Sequence, residues 1–421
     1  MKKTIFLSTI ILLLTACQDY LETNPDSTFD VQIDSEDKIA ELLAGAYPEA
    51  SYFAFLEVRT DNVGERTNGI HSRLNEAMYY WEDYDQEDLD TPLNYWNACY
   101  AGIAQANQAL ELLSKYPKSD RVKALYGEAF LLRAYLHFML VNIWAEPYGT
   151  TKSATAPGIP YLIRPEKNAL VDYERGTVKE VYEKIEKDLK LGISLVNDDY
   201  YVKPKFHFNK KAAYAFASRF YLIKGEWDLV VSYSDYVLGV DPKPVLRNWQ
   251  KYKKEFNSNH KYLYIRYASV DEPANLLLTT TESRVARNIP SEKYGVTIQS
   301  AEKVYNEHGI DGCFNFRKMK MQSFFLFNYN DGRIDDGQYI AKFDELSLSG
   351  YTGIRPRGLY VTNVLFSTDE VMLNRMEAYT MLGEYDKAID NLLVYLSVKY
   401  GVYPSCGRST YTQTSSENYQ I

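Results

Sequence analysis

An aromatic and acidic segment near residue 80 carries the side chains with the clearest chemical potential in this sequence. Tyr79-Tyr80-Trp81-Glu82-Asp83-Tyr84 has no clean apolar period, and further acids follow as far as Asp90. An aromatic ring offers a flat apolar face that can stack on a pyranose ring, while nearby polar groups bond its hydroxyls. Sugar binding is therefore one chemistry that this composition serves.

The carboxylates of the same segment are compatible with two other chemistries. They are Glu82, Asp83, Asp85, Glu87, Asp88 and Asp90. A glycosidase needs two carboxylates roughly 5–10 Å apart, and an acidic loop can supply such a pair. An EF-hand loop counted from Asp83 would need Gly at its sixth position and Glu at its twelfth, and both are missing. A solvated acidic surface is the simplest interpretation, and the sequence leaves open whether Ca²⁺ is bound.

Other catalytic and metal-binding motifs are missing from the sequence. It has no GxSxG, P-loop or HExxH pattern, and its 5 histidines are scattered. His137 lies beside Phe138 in an apolar run, so we expect it to be a hydrogen-bonded core residue. Cys99, Cys313 and Cys406 lack CxxC spacing, so neither zinc nor a disulfide framework is indicated. We predict a protein that is not an enzyme and has no cofactor.

Composition excludes some classes of partner. The chain has 421 residues, a net charge of −9 and 38 tyrosines. A negative chain repels nucleic acid, so we expect no binding to DNA or RNA.

The N-terminus has the pattern of a lipoprotein signal. Lys2 and Lys3 precede an apolar run, Ile5 to Leu14, which is too short for the roughly 20 residues of a membrane-spanning helix. Leu14-Thr15-Ala16-Cys17 is similar to a bacterial lipobox. We expect cleavage after residue 16, lipidation of Cys17 with a diacylglycerol and an N-acyl chain such as palmitate, and stable membrane anchoring. Residues 17–34 would form a flexible tether.

Helical patterns dominate the body that must position the loops. Leu125–Thr150 is apolar around most of its girth, which predicts a buried central helix ended by Pro147 and Gly149. Two segments, 219–238 and 377–396, repeat one another with a Gly between paired helices, typical of a tetratricopeptide hairpin. We predict a mainly α fold: a tetratricopeptide-like superhelix with long loop excursions and a few short β-strands.

The chain divides by composition into six parts. They are a signal peptide (1–16), a tether (17–34), an N-terminal helical region (35–240), a loop-rich excursion (241–360), a helix pair (361–400) and a polar tail (401–421). Within the excursion, Tyr262–Tyr267 and Leu276–Thr281 have the composition of strands. Arg59–Arg73 is rich in Gly, Asn and charge, which predicts a loop.

Several blocks together resemble the SusD/RagB family of outer-membrane nutrient-binding lipoproteins. The clearest is GEAFLLRAYLHFMLVNIWAEPYG, with a Phe-Leu-Arg-Ala-Tyr-type helix ending in a Gly/Pro loop. The others, in family order, are PLNYWNACYAGIAQANQALELL, ERGTVKEVYEKIEKDLKLGISLV, KAAYAFASRFYLIKGEWDLVVSYSDYVL and STDEVMLNRMEAYTMLGEYDKAI. Members usually continue with a further C-terminal block, which the tail after Tyr400 lacks. A truncated product and a divergent subgroup both explain this difference.

The resemblance implies a function and a site. Family members bind glycans on loops at one face of the body and pass them to a TonB-dependent, SusC-like transporter at the cell outer membrane. Here the matching loops offer Arg73, Asn75, Tyr80, Trp81, Tyr84, Trp249, Arg284, Asn288 and Tyr294. We expect an exterior, lipid-anchored protein that captures oligosaccharide or polysaccharide without cleaving it. A helical-repeat adaptor for a protein or peptide and a surface glycosidase using residues 82–90 remain alternatives.

Overall fold

The computed structural model describes most of the body. The described residues are 33–166, 171–256, 260–297, 299–300, 326–329, 337–340, 342–347 and 359–400. The predicted signal peptide, Cys17 and the polar tail after residue 400 lie outside them.

Helices dominate the described part of the chain, and the strands are short. The helices are α1 (Glu36–Ala44), α2 (Phe53–Glu57), α3 (Arg73–Tyr79), α4 (Pro92–Leu113), α5 (Asp120–Trp144), α6 (Val178–Leu195), α7 (Lys210–Lys224), α8 (Trp227–Leu238), α9 (Trp249–Phe256), α10 (His260–Tyr267), α11 (Val285–Ser291), α12 (Thr368–Met381) and α13 (Tyr385–Tyr400). The strands are β1 (Val63–Glu65), β2 (Asn275–Glu282), β3 (Tyr294–Val296), β4 (Leu326–Tyr329), β5 (Gly337–Ile340), β6 (Leu346–Ser347) and β7 (Leu359–Ser367). The predicted mainly α fold class is confirmed.

Helix α5 is the central helix of the body. It begins after the N-cap Ser119 and ends at Trp144. Its end therefore precedes Pro147, which was predicted to stop the helix. Of the described helices, α5 alone is long and apolar enough to cross a membrane. Most of its apolar stretch is buried inside the protein. Helices α4 and α6 pack along it, so its all-round apolar character comes from burial by several neighbours.

Small residues let helix α6 approach α5 closely. A Cβ added at Gly127 would lie 2.4 Å from the backbone nitrogen of Val196, just past the end of α6. Gly192 on α6 has the reciprocal position, because a Cβ there would meet the side chain of Leu131. Closer approach than van der Waals distance costs free energy, so these glycines determine the spacing of the two helices.

Gly127→Ala is expected to lower the free energy of unfolding by about 1–3 kcal/mol, because the added methyl group meets backbone that cannot rotate away. The gain of roughly 1 kcal/mol in helix propensity offsets only part of this cost. Urea denaturation measures the change. The control is Ala101→Leu on the exposed face of α4, expected to change stability by less than about 0.5 kcal/mol. Equal stability of Gly127→Ala and the native protein would contradict the close packing.

A buried ionic network ties the α5 motif to its neighbours. The Arg133 guanidinium donates to both carboxylate oxygens of Asp188 on α6, at 2.6 and 2.8 Å, and to the side-chain oxygen of Asn107 on α4 at 2.9 Å. Tyr161 also donates to Asp188, at 2.6 Å. Arg133 therefore holds three segments together around one buried charge pair.

His137 is a core residue, as predicted. Its Nδ1 donates to the Arg133 carbonyl at 2.8 Å, and its Nε2 accepts from the Leu162 amide at 3.0 Å. Burial lowers the pKa of His137 to about 3, so the ring is neutral and has a structural role.

The two repeated helix pairs, α7–α8 and α12–α13, form as expected. Gly225 and Gly383 follow the first helix of each pair in left-handed conformation, with φ of 73° and 75°. In the first pair, the Gly225 amide donates to the Leu222 carbonyl and the Glu226 amide to the Tyr221 carbonyl, both at 3.0 Å. The second pair repeats this pattern of a Schellman motif, in which the left-handed residue is usually glycine.

The described strands form three small antiparallel sheets. Strand β7 pairs antiparallel with β2, with Leu278 opposite Val364, and also with β6. Strands β1 and β3 form a separate antiparallel pair with Gly64 opposite Gly295, and β4 pairs with β5. The strand predicted at Leu276–Thr281 is thus found within β2.

Two local predictions are wrong. Tyr262–Tyr267 lies in helix α10, where Tyr264 is buried and its hydroxyl accepts from the Thr362 amide at 2.9 Å. Tertiary contacts here override strand propensity. The predicted loop at 59–73 contains β1, and Arg73 begins the short helix α3.

Candidate functional site

Helix α3 begins and ends with defined backbone hydrogen bonds. The Ser72 side chain accepts from the Asn75 amide at its start. At its end, the Trp81 amide donates to the Met78 carbonyl at 3.2 Å and the Glu82 amide to the Ala77 carbonyl at 2.8 Å. This is the same Schellman motif as at Gly225 and Gly383, but the left-handed position is occupied by Trp81, with φ of 59°.

The unusual backbone of Trp81 presents its ring to solvent. The residue is 70 % exposed, the highest value for an aromatic residue among the described part of the chain. The Arg59 guanidinium carbon lies 5.1 Å from the ring centroid, over one face. Among the described residues, no second aromatic ring or cation is stacked on the indole. A left-handed non-glycine residue costs about 1 kcal/mol or more, so the rest of the structure must hold this conformation in place.

Three tyrosine rings contact one another at the end of α3, where Trp81 follows in the chain. The buried ring of Tyr294, on β3, stacks on Tyr79 with centroids 4.8 Å apart, and meets Tyr80 edge-on at 5.6 Å. Tyr80 is 53 % exposed, and a hydrogen bond to Tyr294 raises the pKa of Tyr80 to about 12. We call Arg59, Tyr79, Tyr80, Trp81 and Tyr294 the aromatic surface. The three tyrosine rings contact one another, the Trp81 ring contacts Arg59, and Tyr80 and Trp81 are the two exposed aromatic members.

The acidic segment is joined to helix α11. Buried Asp90 accepts from the Ser283 hydroxyl at 2.7 Å and from the Arg284 amide at 2.6 Å. The Arg284 guanidinium reaches Asp88 at 3.2 Å. Burial raises the pKa of Asp90, although these hydrogen bonds act in the opposite direction. The contacts of Asp90 anchor the loop, and both its carboxylate oxygens are already occupied.

Two of the predicted site residues, Asn75 and Tyr294, are buried and pack under the exposed residues. Asn75 is buried and donates to the Tyr294 backbone carbonyl at 3.1 Å, linking α3 to β3. Tyr294 is itself buried under Tyr79 and Tyr80. The prediction of direct ligand contact by Asn75 and Tyr294 is corrected, because both side chains are covered by this packing.

The remaining predicted residues are dispersed. Arg73 is exposed at the first position of α3, and Asn288 is half-buried on α11. Tyr84 is half-buried against the main core. Trp249 lies in a different cluster: its ring packs near Tyr252 and Tyr267, with centroids 5.3 and 6.2 Å away. The structure therefore brings Tyr80, Trp81 and Arg284 to neighbouring segments, but it does not bring Trp249 to them.

Two residues of the aromatic surface were missed from the sequence. Tyr79 adjoins the predicted Tyr80, so the run of three aromatic residues was a usable signal. Arg59 lies far from Trp81 in sequence within a segment interpreted as a loop, and no spacing links the two residues.

The described part of the chain contains no cluster of side chains that could coordinate a metal ion. No group of three or more His, Cys, Asp or Glu side chains there could hold an ion. The acids of 82–90 spread along the loop instead of converging on one point.

A buried carboxyl group lies at the N-terminal end of α3. Glu292 is 6 % exposed, and its Oε2 has no hydrogen-bond partner within the described residues. Burial, together with nearby Asp90, raises the pKa of Glu292 to about 7, while a hydrogen bond from Ser72 acts to lower it. Ser72 is the N-cap of α3, so Glu292 contacts the start of the helix that precedes Trp81.

The stability of the protein is expected to depend on pH through Glu292. The unfolded chain loses this proton near pH 4.5, while the folded protein keeps it until about pH 7, so the contribution of Glu292 is lost as pH rises through that interval. Glu292→Gln should match the native protein near pH 4.5 and exceed its stability by about 3 kcal/mol at pH 8. Urea denaturation at both pH values tests this. The control is Asp61→Asn, because Asp61 is exposed. If the stability difference between Glu292→Gln and the native protein were the same at both pH values, the raised pKa of Glu292 would be contradicted.

Comparisons with known proteins agree with this architecture. A family model described as "Starch-binding associating with outer membrane", SusD-like, matches residues 19–222. No curated protein matches the chain.

Solved structures share the fold. A SusD superfamily protein from Bacteroides thetaiotaomicron has a TM-score of 0.63 at 18 % identity, covering 87 % of this chain and 81 % of that chain. A SusD-like carbohydrate-binding protein from Bacteroides vulgatus has a TM-score of 0.59 at 17 % identity, covering 91 % and 79 %. A laminarin-binding SusD-like protein has a TM-score of 0.58 at 16 % identity, covering 87 % and 84 %. At these identities the likeness establishes the fold.

Proposed function

This chain belongs to the SusD-like family, matched over residues 19–222, and we propose that it binds glycans through the aromatic surface around Trp81. The observation that carries the proposal is the solvent-facing indole at a backbone position that favours glycine. Since that position costs stability, a function that uses the ring explains why a tryptophan occupies it.

The arrangement of the aromatic surface suits a sugar. The indole face opposite Arg59 can stack on the apolar face of a pyranose ring. The exposed Tyr80, next in the chain, offers a hydroxyl that can hydrogen-bond a sugar. Asn75 bonds the Tyr294 backbone, and the Tyr294 ring packs on Tyr79 and Tyr80, so the segment that precedes Trp81 is fixed before a ligand binds, which reduces the entropy lost on binding.

Several further assignments belong to this proposal. Arg73, Tyr84, Arg284 and Asn288 would extend the site along neighbouring segments, and Trp249 would contribute only to a separate contact. The protein would be anchored to the exterior of the outer membrane by lipid on Cys17. It would capture nutrient glycan, without cleaving it, for a TonB-dependent SusC-like transporter. The family description and the carbohydrate-binding and laminarin-binding relatives support glycan binding at the outer membrane.

Affinity electrophoresis with a panel of polysaccharides tests the function. We expect retardation of the native protein by at least one neutral polysaccharide, with no new reducing ends in the incubated glycan. Release of reducing ends would favour the glycosidase alternative. Absence of retardation by every glycan would contradict glycan binding and favour the peptide-binding adaptor.

Lipidation is tested separately in cells. We expect incorporation of labelled palmitate into the native protein and its loss in Cys17→Ala, with Cys99→Ala as the control. Equal labelling of native protein and Cys17→Ala would contradict the anchor.

A further inference from the structure

A small cavity lies in the core between two helices of the body and the strands β2 and β7. It has a volume of about 10 Å³, and its lining includes Tyr95 on α4, Tyr135 on α5 and Asn363 on β7. Each of these three residues is at most 1 % exposed. Thr279 on β2 belongs to the wall on the sheet side. The three side chains therefore have almost no access to bulk solvent.

Each of the three side chains has a polar atom without a hydrogen-bond partner. These atoms are the hydroxyl oxygens of Tyr95 and Tyr135 and the side-chain oxygen of Asn363, and none of them bonds to a group in the described part of the chain. The Cys99 thiol lies near Tyr95 and the Tyr52 hydroxyl near Tyr135, but neither is in hydrogen-bond geometry.

The side-chain nitrogen of Asn363 is already bonded. It donates to the Thr281 hydroxyl at 3.1 Å, within the pairing of β2 and β7. The oxygen is thus the end of this amide that still needs a donor. Two phenol hydroxyls and one amide oxygen together offer two donors and one acceptor around the cavity.

A water molecule matches this set of groups in size and in chemistry. Buried polar atoms in folded proteins are nearly always bonded to protein or to ordered water, because leaving them unbonded costs stability. A cavity of roughly 10–15 Å³ is large enough for one water, which makes two to four hydrogen bonds when buried. One water can accept from both phenol hydroxyls and donate to the amide oxygen. An ion is disfavoured, because no charged residue lines the cavity in the part of the chain that the structure describes.

We propose that one water molecule is bound in this cavity and joins Tyr95, Tyr135 and Asn363. The water links α4 and α5 to β7, so it ties the small sheet to the helical core. This structural site lies beyond glycan binding and does not depend on it.

A high-resolution crystal structure of the native protein tests the position of the water. We expect one ordered density peak at about 2.7–3.2 Å from the two hydroxyl oxygens and from the Asn363 side-chain oxygen. A cavity without density, or a peak within reach of only one of the three atoms, would overturn the proposal.

The stability of Tyr135→Phe tests the bonding independently. Removing a hydroxyl that bonds water should lower the ratio of folded to unfolded protein by about fivefold, whereas removing an unbonded buried hydroxyl should leave the ratio unchanged or raise it. Urea denaturation measures this ratio. The control is Tyr236→Phe, because Tyr236 is 63 % exposed, and we expect it to have native stability. A Tyr135→Phe variant at least as stable as the native protein would refute the bridge.

The double variant Tyr95→Phe, Tyr135→Phe shows whether the two hydroxyls share one water. Each single change should weaken the binding of the water, so the combined loss of stability should be smaller than the product of the two separate losses in the folded-to-unfolded ratio. Independent, additive effects would show that no common water joins the two residues.

Discussion

Trp81→Gly is expected to abolish detectable glycan binding without lowering the melting temperature. Removing the indole removes roughly 100 Å² of apolar contact with the sugar, worth about 2–3 kcal/mol, or a 30- to 150-fold loss of affinity. Glycine also suits the left-handed backbone of residue 81 better than tryptophan does, so the Schellman motif that ends α3 is retained. Isothermal titration measures binding, and calorimetric melting measures stability.

Loss of binding with an unchanged melting temperature would show that Trp81 has a binding role and not a structural one. A packing residue that is replaced by glycine lowers stability together with function. The matched control is Tyr236→Ala, because Tyr236 is 63 % exposed on α8 and belongs to a different aromatic cluster. We expect native affinity for this variant. Native affinity of Trp81→Gly, or a fall of many degrees in its melting temperature, would contradict the assignment.

Asp188→Ala is expected to destabilise the protein by about 3–5 kcal/mol. The substitution leaves the Arg133 guanidinium buried without its carboxylate, and the desolvation cost of that charge is no longer offset. Tyr161 loses its acceptor at the same time. Urea denaturation followed by circular dichroism measures the loss, and binding at low temperature should persist because the network lies away from the aromatic surface.

The double variant Arg133→Met, Asp188→Leu distinguishes loss of a charge partner from loss of packing volume. Since it removes both charges and keeps apolar bulk, much of the stability lost in Asp188→Ala should return. A double variant as unstable as Asp188→Ala would show that the network stabilises through geometry that apolar residues cannot replace.

The helical body was predictable because its signals are local. Gly225 and Gly383 each end a helix at the same place in a repeated segment, and a left-handed glycine produces the same turn wherever it occurs. The buried girth of α5 followed from its apolar pattern, and the position of His137 followed from its apolar neighbours. These features depend on residues within a few turns of one another.

The site was only partly predictable because its contacts are distant in sequence. Asn75 is fixed by the Tyr294 carbonyl, and no local pattern reveals that this contact covers its side chain. Trp249 has the same residue type as Trp81, but its ring packs near Tyr252 and Tyr267. The left-handed backbone of Trp81 was also not predictable, since sequence patterns lead one to expect glycine at that position.

The central claim is that glycan binds on the aromatic surface, and a crystal structure of the native protein with a bound neutral oligosaccharide tests it most directly. We predict a pyranose ring stacked about 4 Å from the Trp81 indole, on the face opposite Arg59, with Tyr80 at its edge. An oligosaccharide bound against Trp249 or elsewhere on the body, with the Trp81 ring still facing solvent, would contradict the claim.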